Sequence, residues 1–355
     1  LYAEVGARVE RPDHSGLSAL QAERIGCNLT HLHALIEAAS GKDACLALAD
    51  RLAKKPVYAL NAVIIRTLHA WFQGDARRAL ACHKEAEQLR LLENQTELHE
   101  GLALVFMAEA HAISEDLTHL RQTLDAIAPR AKRYPGWRPV AHYAAAEYHR
   151  IRHAHDDALG EIEAALAGAH AGRHPVWQAA ACCHVLVLQA LGRQSEALER
   201  ADAYAESAER LLGKVAERLR LVRAWVHGGA HDDEAVAMAD SVLERYAADA
   251  VTGIHLGFAH EVRARIAVFQ GDSAAHEAHA TACASVYSAH GHPALVAQSE
   301  RVRNLMTRRR SDARQLAPAL SFERLRSALE HCNGTEQRAA LVLTLLAQEC
   351  RAGGG

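Results

Sequence analysis

The chain has 355 residues, of which 50% are hydrophobic and only 5% aromatic, and its formal net charge is −3. This near-neutral balance provides no general attraction for nucleic acid or for an anionic membrane, so neither is expected as a partner. No apolar run in the sequence approaches the length of a membrane span. Abundant alanine and few aromatic residues together predict an all-α protein whose helices approach one another closely.

Eight cysteines are scattered along the chain without a CxxC or another metal-ligand spacing. Most fall where a helix face should be apolar, so we interpret them as reduced core residues and expect a cytoplasmic protein. The chain begins at Leu1 rather than at methionine, and we expect it to be a piece of a longer protein. The cysteines are Cys27, Cys45, Cys82, Cys182, Cys183, Cys283, Cys332 and Cys350.

Helices can be placed in chain order from the apolar spacing and from the Gly, Pro and Asp residues that interrupt it. After a polar lead-in, the pattern predicts a helix over about residues 17–39 and a shorter helix over about 43–54, an atypical opening pair. Regular pairs of helices are then expected to begin at about Val57, Glu97, Trp137, Val176, Val215 and Gly253.

A phrase close to Gly-Asp-x-x-x-Ala-Leu marks the turn between the two helices of a pair, with its clearest copy at residues 74–80. The equivalent positions recur at an interval of about 38 to 41 residues through six units. An interval this constant is typical of a solenoid of helix pairs, in which each pair buries its apolar face against its neighbours. These positions are Ala79, His119, Ala158, Ala197, Ala235 and His276.

The turn phrase has a physical rationale. Gly74, Gly192 and Gly271 are expected to adopt the left-handed conformation that ends a helix. The acidic residues that follow are expected to cap the next helix and to interact favourably with its dipole. They are Asp75, Asp156, Asp232 and Asp272.

Through these turn glycines, the acids that follow them and the alanines early in the second helices, the chain resembles the tetratricopeptide repeat superfamily over roughly residues 17–305. The interval exceeds the usual period of about 34 residues, and histidine replaces the small residue at His119 and His276. The chain is therefore more similar to the longer, degenerate helical-pair repeats of large bacterial signal-transduction ATPases and serine/threonine kinases. The resemblance implies a right-handed superhelical solenoid of antiparallel helix pairs over residues 1–305.

The last fifty residues differ in composition from the repeats. Arginines crowd the end of the array, and residues 306–320 are predicted to form an Arg/Pro-containing linker. Two short amphipathic helices are expected within residues 321–355. The second of them, which opens at Thr335, resembles the first helix of a GAF-type sensor domain.

The sequence predicts no catalytic residue, metal site or cofactor for this chain. The helix-spaced pairs His149 with His153 and His276 with His279 lack a third ligand at an obvious spacing. His-Asp-Asp occurs at residues 155–157 and again at 231–233, but both copies occupy the repeat turn, where helix capping explains them. GxxxxGK[ST], GxGxxG, GxSxG and HExxH are missing from the sequence.

We therefore expect a non-catalytic interaction and regulatory segment of a larger bacterial signalling protein, in which the first helices line an inner groove that binds a protein, a peptide or a neighbouring domain. Two alternatives stay open: a repeat domain that senses a small molecule within an ATP-dependent transcription activator, and an all-α metal-dependent hydrolase. The candidate groove residues are Arg66, Glu109, His142, Arg150, Arg223 and His260.

Overall fold

A computed structural model describes residues 18–93, 101–212, 216–230 and 234–307. All regular structure within these ranges is helical, which confirms the predicted all-α class. The linker and the C-terminal helices predicted after residue 305 lie almost entirely outside the described residues. The fifteen α-helices in the described part are α1 (Ala19–Ala39), α2 (Ala44–Ala53), α3 (Ala59–Phe72), α4 (Ala76–Glu93), α5 (Gly101–Ile113), α6 (Leu117–Arg133), α7 (Arg138–Ile151), α8 (His155–Gly168), α9 (Trp177–Ala190), α10 (Gln194–Leu212), α11 (Glu217–Gly229), α12 (Glu234–Ala248), α13 (Ile254–Gln270), α14 (Ser273–Ser288) and α15 (Pro293–Arg303).

The helices pack in the order of the predicted pairs. Each first helix contacts the second helix of its own pair, and each of α3, α5, α7, α9 and α11 contacts the next first helix along the chain, up to α13. Short 3₁₀ turns at Pro56–Tyr58 and Pro135–Trp137 precede α3 and α7. Each turn begins with proline, which suits the start of a helix because the N–H that it lacks would have no partner within the helix there. The right-handed superhelical arrangement of these pairs stays a prediction.

The turn chemistry largely follows the sequence. Gly74, Gly192 and Gly271 have φ angles of 74°, 74° and 76°, in the left-handed region that glycine tolerates. The carboxylates of Asp75 and Asp272 accept hydrogen bonds from backbone N–H groups three residues ahead, at 2.9 and 3.0 Å.

One of the predicted caps is wrong. Asp156 lies within the first turn of α8 instead of preceding the helix, and the N-cap residue is Ala154, whose side chain cannot accept a hydrogen bond. Asp156 and Asp157 can still interact with the positive end of the helix dipole. The fourth expected cap, Asp232, lies outside the described residues.

Small side chains and apolar first helices form the core. Ala79, Ala158, Ala197 and Ala235 are completely buried at the equivalent turn positions, where a larger side chain would hold the two helices apart. Eleven of the fourteen residues of α9 are buried, so this first helix is enclosed by its neighbours on nearly every side.

Two helical glycines should respond to alanine substitution with opposite signs. A Cβ atom at Gly257 would lie 2.1 Å from Cε1 of the buried Tyr287 ring, whereas one at Gly160 would meet nothing within 4 Å. We expect Gly160→Ala to stabilise the protein by about 0.5–1 kcal/mol because glycine is a poor helix former. Gly257→Ala should instead destabilise it by about 1–3 kcal/mol through overpacking. Urea unfolding of both variants compares the two values, and equal stabilisation would contradict the packing at Tyr287.

Contacts between distant helices and a candidate interaction cleft

Turns far apart in the sequence are in direct contact. Segments 39–43 and 72–74, at the α1–α2 and α3–α4 turns, lie against segment 249–255, which joins α12 to α13; we call this contact the turn interface. The backbone N–H of Thr252 donates to the carbonyl oxygen of Gly41 at 3.1 Å, and the Thr252 hydroxyl donates to the same oxygen at 3.0 Å. The first and the last described helix pairs are therefore joined through backbone groups.

Side chains add to the turn interface from both sides. The side-chain amide Nε2 of Gln73 donates to the Thr252 hydroxyl at 2.9 Å. His255 Nε2 donates to the carbonyl oxygen of Ala39 at 2.7 Å, and its ring stacks on Phe72 with 5.0 Å between the ring centroids. Burial lowers the pKa of His255, which favours the neutral ring at this position.

Glycine is required for the backbones to approach this closely. A Cβ atom at Gly41 would lie 2.6 Å from the carbonyl oxygen of Thr252, and one at Gly253 would lie 2.2 Å from that of Phe72. Both glycines also have positive φ angles, of 72° and 68°. These two residues thus have a role that the turn phrase does not reveal, because neither belongs to a copy of it.

A second contact between distant segments is centred on Asp116, at the N-terminus of α6. Its carboxylate contacts His119 Nδ1 at 2.6 Å and His292 Nε2, from the turn before α15, at 3.1 Å. These two histidines hold the pKa of the Asp116 carboxyl well below its usual range, against the opposing effect of burial. An ion pair between Glu115 and Arg301 lies beside the Asp116 cluster.

A buried aromatic pair supports the Asp116 cluster. Trp71 contacts the ring of His111 edge-on, with 4.5 Å between centroids, and lies 4.7 Å from the ring of His119. His111 is only 3% exposed, and burial lowers its pKa to about 3, so it is neutral at physiological pH. The histidine at the irregular repeat position, His119, therefore belongs to a packed polar cluster that joins two distant turns.

Four charged side chains form a central ion network between the first helices. Arg218 of α11 contacts Glu109 of α5 at 3.2 Å and Glu147 of α7 at 3.4 Å. Glu147 also accepts a 2.5 Å hydrogen bond from Nε of Arg150. The Glu147 side chain is fully buried and that of Arg218 is 6% exposed, so these charges are neutralised by one another and not by water.

The six predicted groove residues do not converge on one site. Glu109 and Arg150 belong to the central ion network, whereas the other four form separate pairs with second helices. Each of these four has a partner within hydrogen-bond distance, so their use by a binding partner stays a prediction. The pairs are Arg66 with Asp50 at 2.7 Å, His142 with Glu161 at 2.7 Å, Arg223 with Asp202 at 2.6 Å and His260 with His279 at 3.1 Å.

One of these residues, Arg223, lines an open cleft of about 330 Å³ between α10, α11 and α12. Ala205 and Met238 provide its apolar surface, and carboxylates lie on the α10 side. Met238 is half-buried, and methionine adapts readily to the shape of a partner. The charged and polar lining residues are Asp202, Glu206, Glu209, Arg220, Arg223 and Ser241.

The sequence selected Arg223 as a candidate groove residue but did not select the acidic residues of this cleft. Asp202, Glu206 and Glu209 follow one another at helical spacings of four and three residues, which places them on one face of α10. The same spacing is common on any solvated helix surface, so the sequence alone gave no reason to select it. This face becomes the wall of a cleft because α10 and α12 both pack against α11.

The described residues contain neither a metal-binding cluster nor a helix that could span a membrane, and most of their cysteines are buried. Among them, no group of three or more His, Cys, Asp or Glu side chains is arranged to hold a metal ion. Within the same ranges, no helix has the length and apolar character needed to span a membrane. Five of the six described cysteines are buried, as predicted for core residues, and burial raises the pKa of the Cys182 thiol to about 12.

Comparison of the chain with models of known protein families and with curated proteins found no match in either case.

Proposed function

We propose that this chain is a non-catalytic protein–protein interaction and regulatory segment of a larger bacterial signalling protein in the cytoplasm. It is built as a right-handed superhelix of tetratricopeptide-like helix pairs, and its partner is a protein, a peptide or a neighbouring domain of the same chain. Repeats of this kind present large surfaces made of successive helices, and they bind extended segments or helices along them.

The cleft between α10, α11 and α12 is the observation that carries this proposal. Its apolar residues, Ala205 and Met238, can receive an apolar side chain of a partner. Arg223 is already paired with Asp202, and Glu206 contacts Arg210 of the same helix at 3.9 Å, but the side chains of Glu206 and Glu209 lie exposed to solvent at the rim of the cleft. These exposed carboxylates favour a partner segment that carries lysine or arginine beside its apolar residue.

A photo-crosslinking amino acid at Ser241 tests the proposal in the organism from which the chain comes. Ser241 is exposed and lines the cleft, whereas Ala164 is exposed on α8 and provides the control position. We expect a discrete crosslinked protein from Ser241 and none of the same identity from Ala164. The absence of any product specific to Ser241, combined with a small metabolite that raises the melting temperature of the chain, would replace this proposal with small-molecule sensing.

Neutralising the rim of the cleft should weaken the crosslink. We expect Glu206→Gln with Glu209→Gln to reduce the yield from Ser241 by about three- to tenfold, because each rim charge contributes modestly to association. The matched control is Asp157→Asn with Glu163→Gln, which removes the same charge from the exposed surface of α8. Equal yields for both double variants would show that the carboxylates of the cleft do not contact the partner.

A further inference from the structure

The turn interface differs in kind from the contacts between successive helices. Successive helices pack through buried apolar side chains, as the fully buried Val222 and Ile266 of neighbouring first helices illustrate. The turn interface depends mainly on hydrogen bonds, and the bond from Gln73 to Thr252 is exposed to solvent. The ion pair between Lys42 and Asp249, at 3.4 Å, is exposed as well. Water competes well for such groups, so contacts of this type open more readily than a hydrophobic core.

The backbone conformation of segment 249–255 is held within its own helix end. Ala250, in the turn between α12 and α13, has a φ angle of 51°, in the left-handed region. The N–H groups of Val251 and Ala250 donate to the carbonyl oxygens of Tyr246 and Ala247 at 2.9 and 3.4 Å, the pattern of a helix C-cap. This turn therefore keeps its shape when the contacts across the turn interface are broken.

His255 connects the turn interface to a buried aromatic ring. Its Nε2 donates to the carbonyl oxygen of Ala39 at 2.7 Å, and its ring stacks on Phe72, which is completely buried. Separation of segment 249–255 from segment 72–74 would remove His255 from Phe72 and give water access to the Phe72 ring.

We propose that the turn interface is a latch that opens in the native protein, separating segments 39–43 and 72–74 from segment 249–255 while the helices stay folded. Opening exposes the ring of Phe72, which the closed form buries against His255. The latch thus controls when this apolar side chain becomes available to a partner, a property that goes beyond binding at the cleft between α10, α11 and α12. The closed form is the state that the structure describes.

Native-state hydrogen exchange of the full 355-residue chain at low urea concentrations tests the latch without any substitution. We expect peptides that cover residues 249–255 to exchange through an opening that depends only weakly on urea, because little surface is exposed. Peptides from α9 should exchange with the strong urea dependence of global unfolding. The same strong dependence and the same free energy in both regions would overturn the proposal, since the interface would then open only when the protein unfolds.

A pair of glycine variants gives a second, independent measurement. Gly41 and Gly192 have φ angles of 72° and 74°, but a Cβ atom at Gly41 would clash with the Thr252 carbonyl, while one at Gly192 would meet nothing within 4 Å. We expect Gly41→Ala to accelerate exchange at residues 249–255 about tenfold beyond any effect of Gly192→Ala, because both variants create a left-handed alanine but only the Cβ atom at Gly41 pushes the Thr252 carbonyl away. Gly192→Ala should leave exchange at residues 249–255 unchanged.

Two outcomes of the variant experiment would contradict the latch. Gly41→Ala could accelerate exchange uniformly along the chain, which would mean that the turn interface opens only with the whole fold. It could also leave exchange at residues 249–255 at the wild-type rate, which would mean that this contact does not hold the two segments together. If Gly41→Ala fails to fold, the urea dependence of the wild-type chain still decides between the latch and global unfolding.

Discussion

Glu147→Gln is expected to lower the free energy of unfolding by about 3–5 kcal/mol, the usual cost of removing one partner from a buried ion pair. The substitution keeps the size of the side chain, so it creates no cavity. It leaves the guanidinium groups of Arg150 and Arg218 facing a neutral amide in a site where the Glu147 side chain is fully buried. Urea unfolding at pH 7, followed by circular dichroism, measures the difference from wild type.

An exposed ion pair provides the control for this result. Asp125→Asn breaks the pair with Arg121 on α6, where both side chains are more than half exposed. We expect a loss of at most about 0.5 kcal/mol, because water solvates both partners once they separate. If Glu147→Gln were as mild as Asp125→Asn, the central ion network would have to be open to water, in contrast to the burial that the structure shows.

Mild acid is expected to destabilise the protein because buried histidines are neutral in the folded chain. Burial lowers the pKa of His111 to about 3 and that of His184 to about 4, while both titrate near 6.5 in an unfolded chain. At pH 7 these histidines are mostly neutral in both the folded and the unfolded chain, so their titration takes away little stability at that pH. As the pH falls below 6.5, the unfolded chain takes up protons first, and stability is lost until the pH passes the folded pKa values.

At pH 5 the free energy of unfolding should be lower by about 2 kcal/mol for each of these two histidines. Each pH unit below the unfolded pKa of about 6.5 takes away about 1.4 kcal/mol per histidine. The Asp116 carboxyl remains charged in this range, since its pKa is held low, and does not offset the effect. Unfolding free energies measured between pH 7 and 5 give the slope. His111→Phe with His184→Gln should reduce this slope by about 2.7 kcal/mol per pH unit, the value for two protons. An unchanged slope would show that other groups cause the acid sensitivity.

The parts of the fold that depend on local chemistry could be predicted from the sequence. Helix α9 begins at Trp177 and α13 at Ile254, each within one residue of its predicted start, because proline or glycine precedes both. Gly74, Gly192 and Gly271 have the predicted left-handed backbone for the same reason. In such turns, the conformational preference of one or two residues decides the structure.

The contacts between distant turns could not be predicted in this way. Gly41 meets Thr252 through the combined packing of all the helices between them, and no single residue type or spacing in the sequence encodes that result. Glu109 and Arg150 were selected as groove residues from their polarity on first helices. Arg218 was not selected, although it contacts Glu109 directly and shares the partner Glu147 with Arg150. The unusual histidine at position 119 was the one available signal for the Asp116 cluster, since it departs from the small residues at equivalent positions.

The joining of residues 39–43 to residues 249–255 also limits how this architecture can change in length. Arrays of repeats generally gain or lose units by duplication and deletion, because each unit touches only its immediate neighbours. Here, an inserted or deleted helix pair between α4 and α12 would shift Thr252 away from Gly41 by one whole unit. The number of helix pairs between these two turns is therefore fixed by this contact, and the chain can vary in length by whole pairs only outside them.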